Sequence, residues 1–278
     1  MKRGADGGIG RGADGGIGRG AEDGDRAGGR SNGSGGWAED KIGLGVEETG
    51  VKHLRAVSDP QQVSERAVTL DTGPGYGTYV GGFAAVVLAG GAARRMGGAD
   101  KPTLPVGGQS MLTRVLAAVH DADPRIVVGR VPPDLPVQVH STREEPPGGG
   151  PVAATSAGLA LVPDHITYTA LLAADLPLLT GEAIDVLRLT VESAPMQGAV
   201  YRDSEGRRQM LCGVWRTAAL RGAVNRLAEE RGGLHGASVR ELMEHLRVAE
   251  VSWRRPGPPP WFDCDTDDDL RTAEEWAR

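Results

Sequence analysis

The chain has 278 residues, with 31 Lys plus Arg against 37 Asp plus Glu and a formal charge of −6. That balance argues against a nucleic-acid surface, which needs net positive charge to displace counterions. No stretch approaches the roughly 18 apolar residues of a membrane span, and the N-terminus lacks the apolar core of a secretory signal. Two cysteines, Cys212 and Cys264, make no disulfide framework and no Cys/His spacing suggests zinc, so a cytoplasmic protein is expected.

Residues 1–82 read as a low-complexity tail. Glycine fills 18 of the first 50 positions, and the octapeptide RGADGGIG occurs twice in tandem, at Arg3 to Gly10 and Arg11 to Gly18. Such a segment buries too little apolar surface to offset its ordering entropy, so disorder is expected. Gly10 to Gly15 matches G-x-G-x-x-G, but no strand precedes it and no helix follows. The tail holds 10 Lys plus Arg against 12 Asp plus Glu, which does not suit an RNA-binding arm. A start of translation downstream of Met1 is the alternative account of this segment.

From Phe83 to Arg278, apolar strands and helical patterns alternate, which predicts one α/β domain with a mostly parallel sheet. Phe83 to Val87 reads as a buried strand. Ser110 caps a helix through about His120, and strands are expected at Arg125 to Val128 and Val137 to His140. A small-residue helix follows at Val152 to Leu161, then an apolar strand at Thr167 to Ala173. Thr180 caps the next helix, and strands at Ala199 to Tyr201 and Met210 to Trp215 bracket a polar turn. Ser238 with Glu241, and Thr266 with Asp269, are start signals for two further helices, with a strand at Val248 to Val251 between them. The proline run from Pro256 to Pro260 is a connection.

Three places carry chemistry. The first strand empties into Leu88-Ala89-Gly90-Gly91-Ala92-Ala93-Arg94-Arg95-Met96-Gly97-Gly98-Ala99-Asp100-Lys101. Glycines let backbone N–H groups approach an anion, and Arg95 and Lys101 supply cations for phosphates. Asp175 follows the apolar strand at Thr167 to Ala173, where ligands of open α/β sheets collect. Asp263 and Asp265 are one residue apart, so in an extended segment both face one side and repel unless a cation intervenes. Gly148-Gly149-Gly150-Pro151 forms a tight turn before a helix. The histidines show no triad context, so covalent catalysis has no support.

The loop L-A-G-G-x-x-x-R-M-G-x-x-D-K resembles that of the molybdenum cofactor guanylyltransferase family, and the likeness extends from Phe83 to Arg278. It implies a Rossmann-like three-layer nucleotidyltransferase domain that moves GMP from GTP to molybdopterin and releases diphosphate. It implies nucleotide contacts from Leu88, Ala89, Gly90, Gly91, Lys101, Glu145, Gly150, Pro151 and Asp175. Arg95, Lys101 and Asp175 would be catalytic, with Mg²⁺ held by Asp175 in its D-x-P motif and by Asp265. Transient contact with proteins that make or receive the cofactor is a further implication.

This chain departs from the family pattern at several points. Ala92 and Ala93 replace Arg-Ser, Ala154 replaces a glycine, and Gly129 stands where an asparagine is common. Asp263 and Asp265 occupy the asparagine positions of N-x-N-T-P, and Asp267 occupies its proline. Glu144 is an alternative to Glu145 for reading the base. Arg202 and Gln209 fall in the region that faces the acceptor in related enzymes. Two rival readings stay open: a CTP-using enzyme or one with another small phosphorylated acceptor, and a non-catalytic nucleotide-binding protein.

Overall fold

The computed structural model describes residues 82–90, 101–135 and 137–278. The tail through residue 81, and Gly91, Arg95 and Asp100 of the loop, lie outside the described residues.

Strand β1 (Phe83–Ala89) is buried at every residue, as an unbroken apolar strand covered on both faces must be. A 3₁₀ turn at Lys101–Thr103 leads into a hairpin of β2 (Pro105–Val106) and β3 (Gln109–Ser110). Gly107 and Gly108 make its bend at φ 58° and 77°, a conformation that suits glycine. Helix α1 (Met111–Ala118) starts where the Ser110 hydroxyl accepts the Thr113 N–H. Strands β4 (Arg125–Gly129) and β5 (His140–Thr142), helix α2 (Pro151–Leu159) and strand β6 (Tyr168–Ala173) follow. Next come α3 (Gly181–Ser193), β7 (Gly198–Arg202), β8 (Arg208–Arg216) and α4 (Thr217–Arg231). The chain closes with α5 (Val239–Glu244), β9 (Val248–Ser252) and α6 (Asp267–Trp276).

Seven strands form one sheet in the order β5-β4-β1-β6-β8-β7-β9. Only β8 runs against its neighbours; the β1–β4, β1–β6, β4–β5 and β7–β9 pairs are parallel. Alternate side chains of each strand serve opposite layers. Phe83, Ala85 and Val87 pack with Leu112 and Leu116 of α1 and Ile184 and Leu187 of α3. Ala84, Val86 and Leu88 face the other way, toward Val152 of α2, Leu220 of α4 and Leu242 of α5. The result is the expected three-layer α/β domain. A small third cluster of Val106, Met111, Leu178, Cys264 and Ala273 fastens α6 and the segment before it to the hairpin.

Three elements differ from expectation. The strand expected at Val137 to His140 lies at His140–Thr142, because Val137 and Val139 instead pack as partly buried side chains against the core. Helix α4 has no counterpart in the sequence reading, since it runs straight out of β8 with Arg216 at its N-cap and no side-chain cap. The β2–β3 hairpin is likewise additional.

Candidate active site

The parallel strands β4, β1 and β6 end on the same edge of the sheet. Leu88 is paired with Ala173, and the Ala174 N–H donates to the Leu88 carbonyl at 3.1 Å, which carries the ladder one step further. Asp175 is the next residue. Its own carbonyl accepts the Cys264 N–H at 3.3 Å, so the segment carrying Asp263 and Asp265 is tied to the end of β6. Cys264 is fully buried while both flanking aspartates are exposed, so the two carboxylates share one side of an extended segment.

Lys101 joins these pieces. Its Nζ donates to Asp175 Oδ2 at 2.7 Å and to Asp265 Oδ1 at 2.7 Å, across 74 and 164 residues of sequence. The lysine is 5% exposed. Burial disfavours its charged form, but the hydrogen bonds and charges of Asp175 and Asp265 outweigh that and hold it above its ordinary pKa. Partial desolvation raises Asp263, although the residue is largely exposed, and the neighbouring Asp265 charge raises it further. Burial pushes the Cys264 thiol up to about 12, so it stays protonated beside the acidic group.

Asp265 is placed by a helix start. Thr266 Oγ1 accepts the Asp269 N–H at 3.1 Å. Asp269 Oδ2 accepts the Thr266 N–H at 2.8 Å and the Asp265 N–H at 3.1 Å. This is the capping box expected from Thr266 and Asp269.

The remaining candidates occupy the flanking strand and turn. Leu88 and Ala89 are buried at the end of β1, and Gly90 beyond them is exposed. Gly129, paired with Ala89, has φ 134°, and a Cβ there would lie 2.6 Å from the Ala89 carbonyl oxygen. An asparagine side chain has no room on this backbone. Gly150, at φ 93°, is the N-cap of α2 with Pro151 at its first turn. Glu144 Oε1 accepts the Gly148 N–H at 3.1 Å and so is committed to the turn, whereas Glu145 is exposed. Arg202 forms a 3.3 Å ion pair with Glu250, and Gln209 donates to Asp203 at 3.0 Å.

Arg114 is a residue that sequence reasoning missed. From α1 its Nε donates to the Pro177 carbonyl at 2.6 Å and its Nη1 to the Val106 carbonyl at 3.3 Å, bracing the loop that follows Asp175. A basic residue on the polar side of a helix gives no signal of this.

The donor set at this edge is made of hard carboxylate oxygens, which suits a small divalent cation that also takes phosphate oxygens and water. Asp175 and Asp265 already share a cation, the lysine ammonium, so the geometry accommodates positive charge between them. What the described residues bring together is one buried ammonium held between two carboxylates at the end of the parallel strands.

The model of the MobA-like NTP transferase domain matches residues 85–250. The chain belongs to that family. It is thus a nucleotidyltransferase. It is similar to a molybdenum cofactor guanylyltransferase from Bradyrhizobium sp. (strain ORS 278), 30% identical over 204 residues that make up 69% of this chain and 92% of the relative. It is also similar to a probable molybdenum cofactor guanylyltransferase from Mycobacterium tuberculosis (strain ATCC 25618 / H37Rv), 39% identical over 143 residues, 49% of this chain and 68% of the relative. Among solved structures it resembles molybdopterin-guanine dinucleotide biosynthesis protein A from Archaeoglobus fulgidus, with a TM-score of 0.55 and 20% identity over 69% of this chain and 97% of that one. A 2-C-methyl-D-erythritol 4-phosphate cytidylyltransferase from Francisella tularensis gives the same TM-score of 0.55 at 14% identity, over 70% of this chain and 100% of that one. Both likenesses concern the fold. Among the described residues no helix is long and apolar enough to cross a membrane.

Proposed function

We propose that this chain is a molybdenum cofactor guanylyltransferase, which transfers GMP from GTP to the phosphate of molybdopterin. The names borne by its relatives support the substrates. The observation that carries the chemistry is the convergence of Lys101, Asp175 and Asp265 at the carboxyl end of the parallel strands. An oxygen of the acceptor phosphate attacks the α-phosphorus of GTP, the bond from that phosphorus to the β-phosphate oxygen breaks, and diphosphate departs. The acceptor is already anionic, so no strong general base is needed. Positioning and charge neutralisation supply most of the rate in such transfers.

In this reading Lys101 and Arg95 neutralise the triphosphate and the departing diphosphate. Backbone groups from Leu88 to Gly91 approach the nucleotide, and Gly150 and Pro151 border the base. Glu145 accepts from the N1–H and N2–H₂ edge of guanine, a donor pair that cytosine and adenine lack. Asp175 and Asp265 would hold Mg²⁺, which on binding would screen the phosphate charge. The catalytic domain runs from Phe83 to Arg278, in the cytoplasm, with transient contacts to proteins that make or receive the cofactor.

The alternative weighed against it is a CTP-using enzyme on the same scaffold. Incubation with molybdopterin and each of GTP, CTP and ATP, followed by mass analysis of the product, separates the two. Formation of the guanine dinucleotide is expected, and preference for CTP would overturn it. Asp175→Asn should abolish Mg²⁺-dependent turnover, and an unchanged metal titration would remove Asp175 from the site. Deleting residues 1–80 should leave turnover nearly unchanged.

A further inference from the structure

We infer that Lys101 is an internal counter-ion that occupies the cation position between Asp175 and Asp265 until a nucleotide draws it away, so that metal binding depends on nucleotide binding. This inference rests on the proposed reading and extends it to the order in which the site fills.

Lys101 Nζ lies at 2.7 Å from a carboxylate oxygen on each side, and the residue is almost wholly buried. An ammonium has three donors, and two of them are spent on the carboxylates proposed to ligate the metal. A divalent ion bound to the same pair of carboxylates would stand next to that ammonium, and like charges in close contact repel. The two cations therefore compete for one place. Among the described residues two carboxylates, Asp175 and Asp265, share the single ammonium of Lys101. A bare triphosphate meets an ammonium already engaged by two carboxylates, and a bare metal meets a resident cation. Only the two together satisfy every group: the phosphates take the ammonium, and the metal takes the carboxylates.

Linkage gives the arrangement a measurable form. If nucleotide binding strengthens metal binding by some factor, metal strengthens nucleotide binding by the same factor. Removing the lysine charge should uncouple the two, because the carboxylates are then left facing one another with nothing between them.

The test uses Mn²⁺ as the probe, with free Mn²⁺ followed by electron paramagnetic resonance on the full chain. Lys101→Met and Lys101→Gln should each bind Mn²⁺ without nucleotide at least tenfold more tightly than wild type. Mn²⁺ should raise the melting temperature of both variants and leave that of wild type nearly unmoved, since a ligand stabilises only the state that binds it. Adding Asp175→Asn to Lys101→Met should cancel the gain. Variants that fold only when Mn²⁺ is present would also support the inference, whereas variants that Mn²⁺ neither binds nor restores would overturn it. Equal and weak Mn²⁺ binding by variants and wild type would overturn the counter-ion role. If Mn²⁺ and GTP together raise the wild-type melting temperature more than GTP alone, the proposed function survives that failure. If they do not, both fall.

Discussion

Arg114 reaches from the middle of α1 to the Pro177 carbonyl, two residues past Asp175, and closes a 2.6 Å hydrogen bond there. The same guanidinium reaches Val106 in the hairpin, so one side chain couples three segments. Arg114→Ala leaves two carbonyls without these donors and should cost about 1–3 kcal/mol of stability. Arg114→Lys should recover little, because a lysine cannot reproduce the planar fork. Chemical denaturation measures the first effect, and the Mg²⁺ dependence of turnover reports whether the Asp175 loop has moved.

Gly129 offers a second test. A side chain there is excluded twice, by φ 134° and by the Ala89 carbonyl oxygen, which would lie 2.6 Å from a Cβ. Gly129→Asn should lower stability by roughly 1–3 kcal/mol through backbone strain. A variant as stable as wild type with improved nucleotide affinity would show that the β4 terminus adopts another conformation.

Glu144 and Glu145 are adjacent but should behave differently. If Glu145 reads the base as proposed, Glu145→Gln should lower kcat/KM for GTP by about tenfold or more, on the scale of a charge-assisted hydrogen bond. Its effect with CTP should be small. Glu144→Gln weakens the acceptor for the Gly148 N–H, so it should affect all nucleotides alike. Steady-state kinetics with both nucleotides distinguishes these patterns.

Alkaline pH should destabilise the domain. Burial pushes the Cys212 thiol up from 9.0 to about 12, and burial also raises the Tyr201 phenol. Between those two thiol values the unfolded chain gives up a proton that the folded chain keeps, so stability falls as pH rises. Lys101, held above 10.5, adds the same trend once pH passes that value. Denaturation midpoints should therefore be flat near pH 8 and decline above pH 9, and less steeply in Cys212→Ala.

Much of this architecture was legible because local signals agreed with the global fold. The Ser110 and Thr180 caps, the boxes at Ser238 and Thr266, and the apolar runs of β1 and β6 all mark their elements at or near the observed boundaries. Helix α4 was hidden because it has no capping side chain at its start, although Gly232 in the left-handed conformation marks its end. The positions of the candidate residues were legible, since Asp175 follows an apolar strand and Asp265 precedes a capped helix. What the residues could not convey was the pairing. Lys101 reads as a cation on an open glycine loop, yet it is buried between two carboxylates supplied from distant parts of the chain. That contact depends on tertiary packing, as does the bracing by Arg114.

The placement of Asp265 by the first turn of α6 has a thermal consequence. That helix contributes only Ala273 as a fully enclosed side chain and rests on a small satellite cluster, apart from the two large layers around the sheet. Weakly anchored units open at lower free energy than the body they rest on. On warming, α6 would loosen first and take one carboxylate out of reach of the ammonium while the strands stay paired. Heat would then silence the enzyme ahead of calorimetric melting, and its working ceiling would be set by ten residues at one rim of the fold rather than by the sheet.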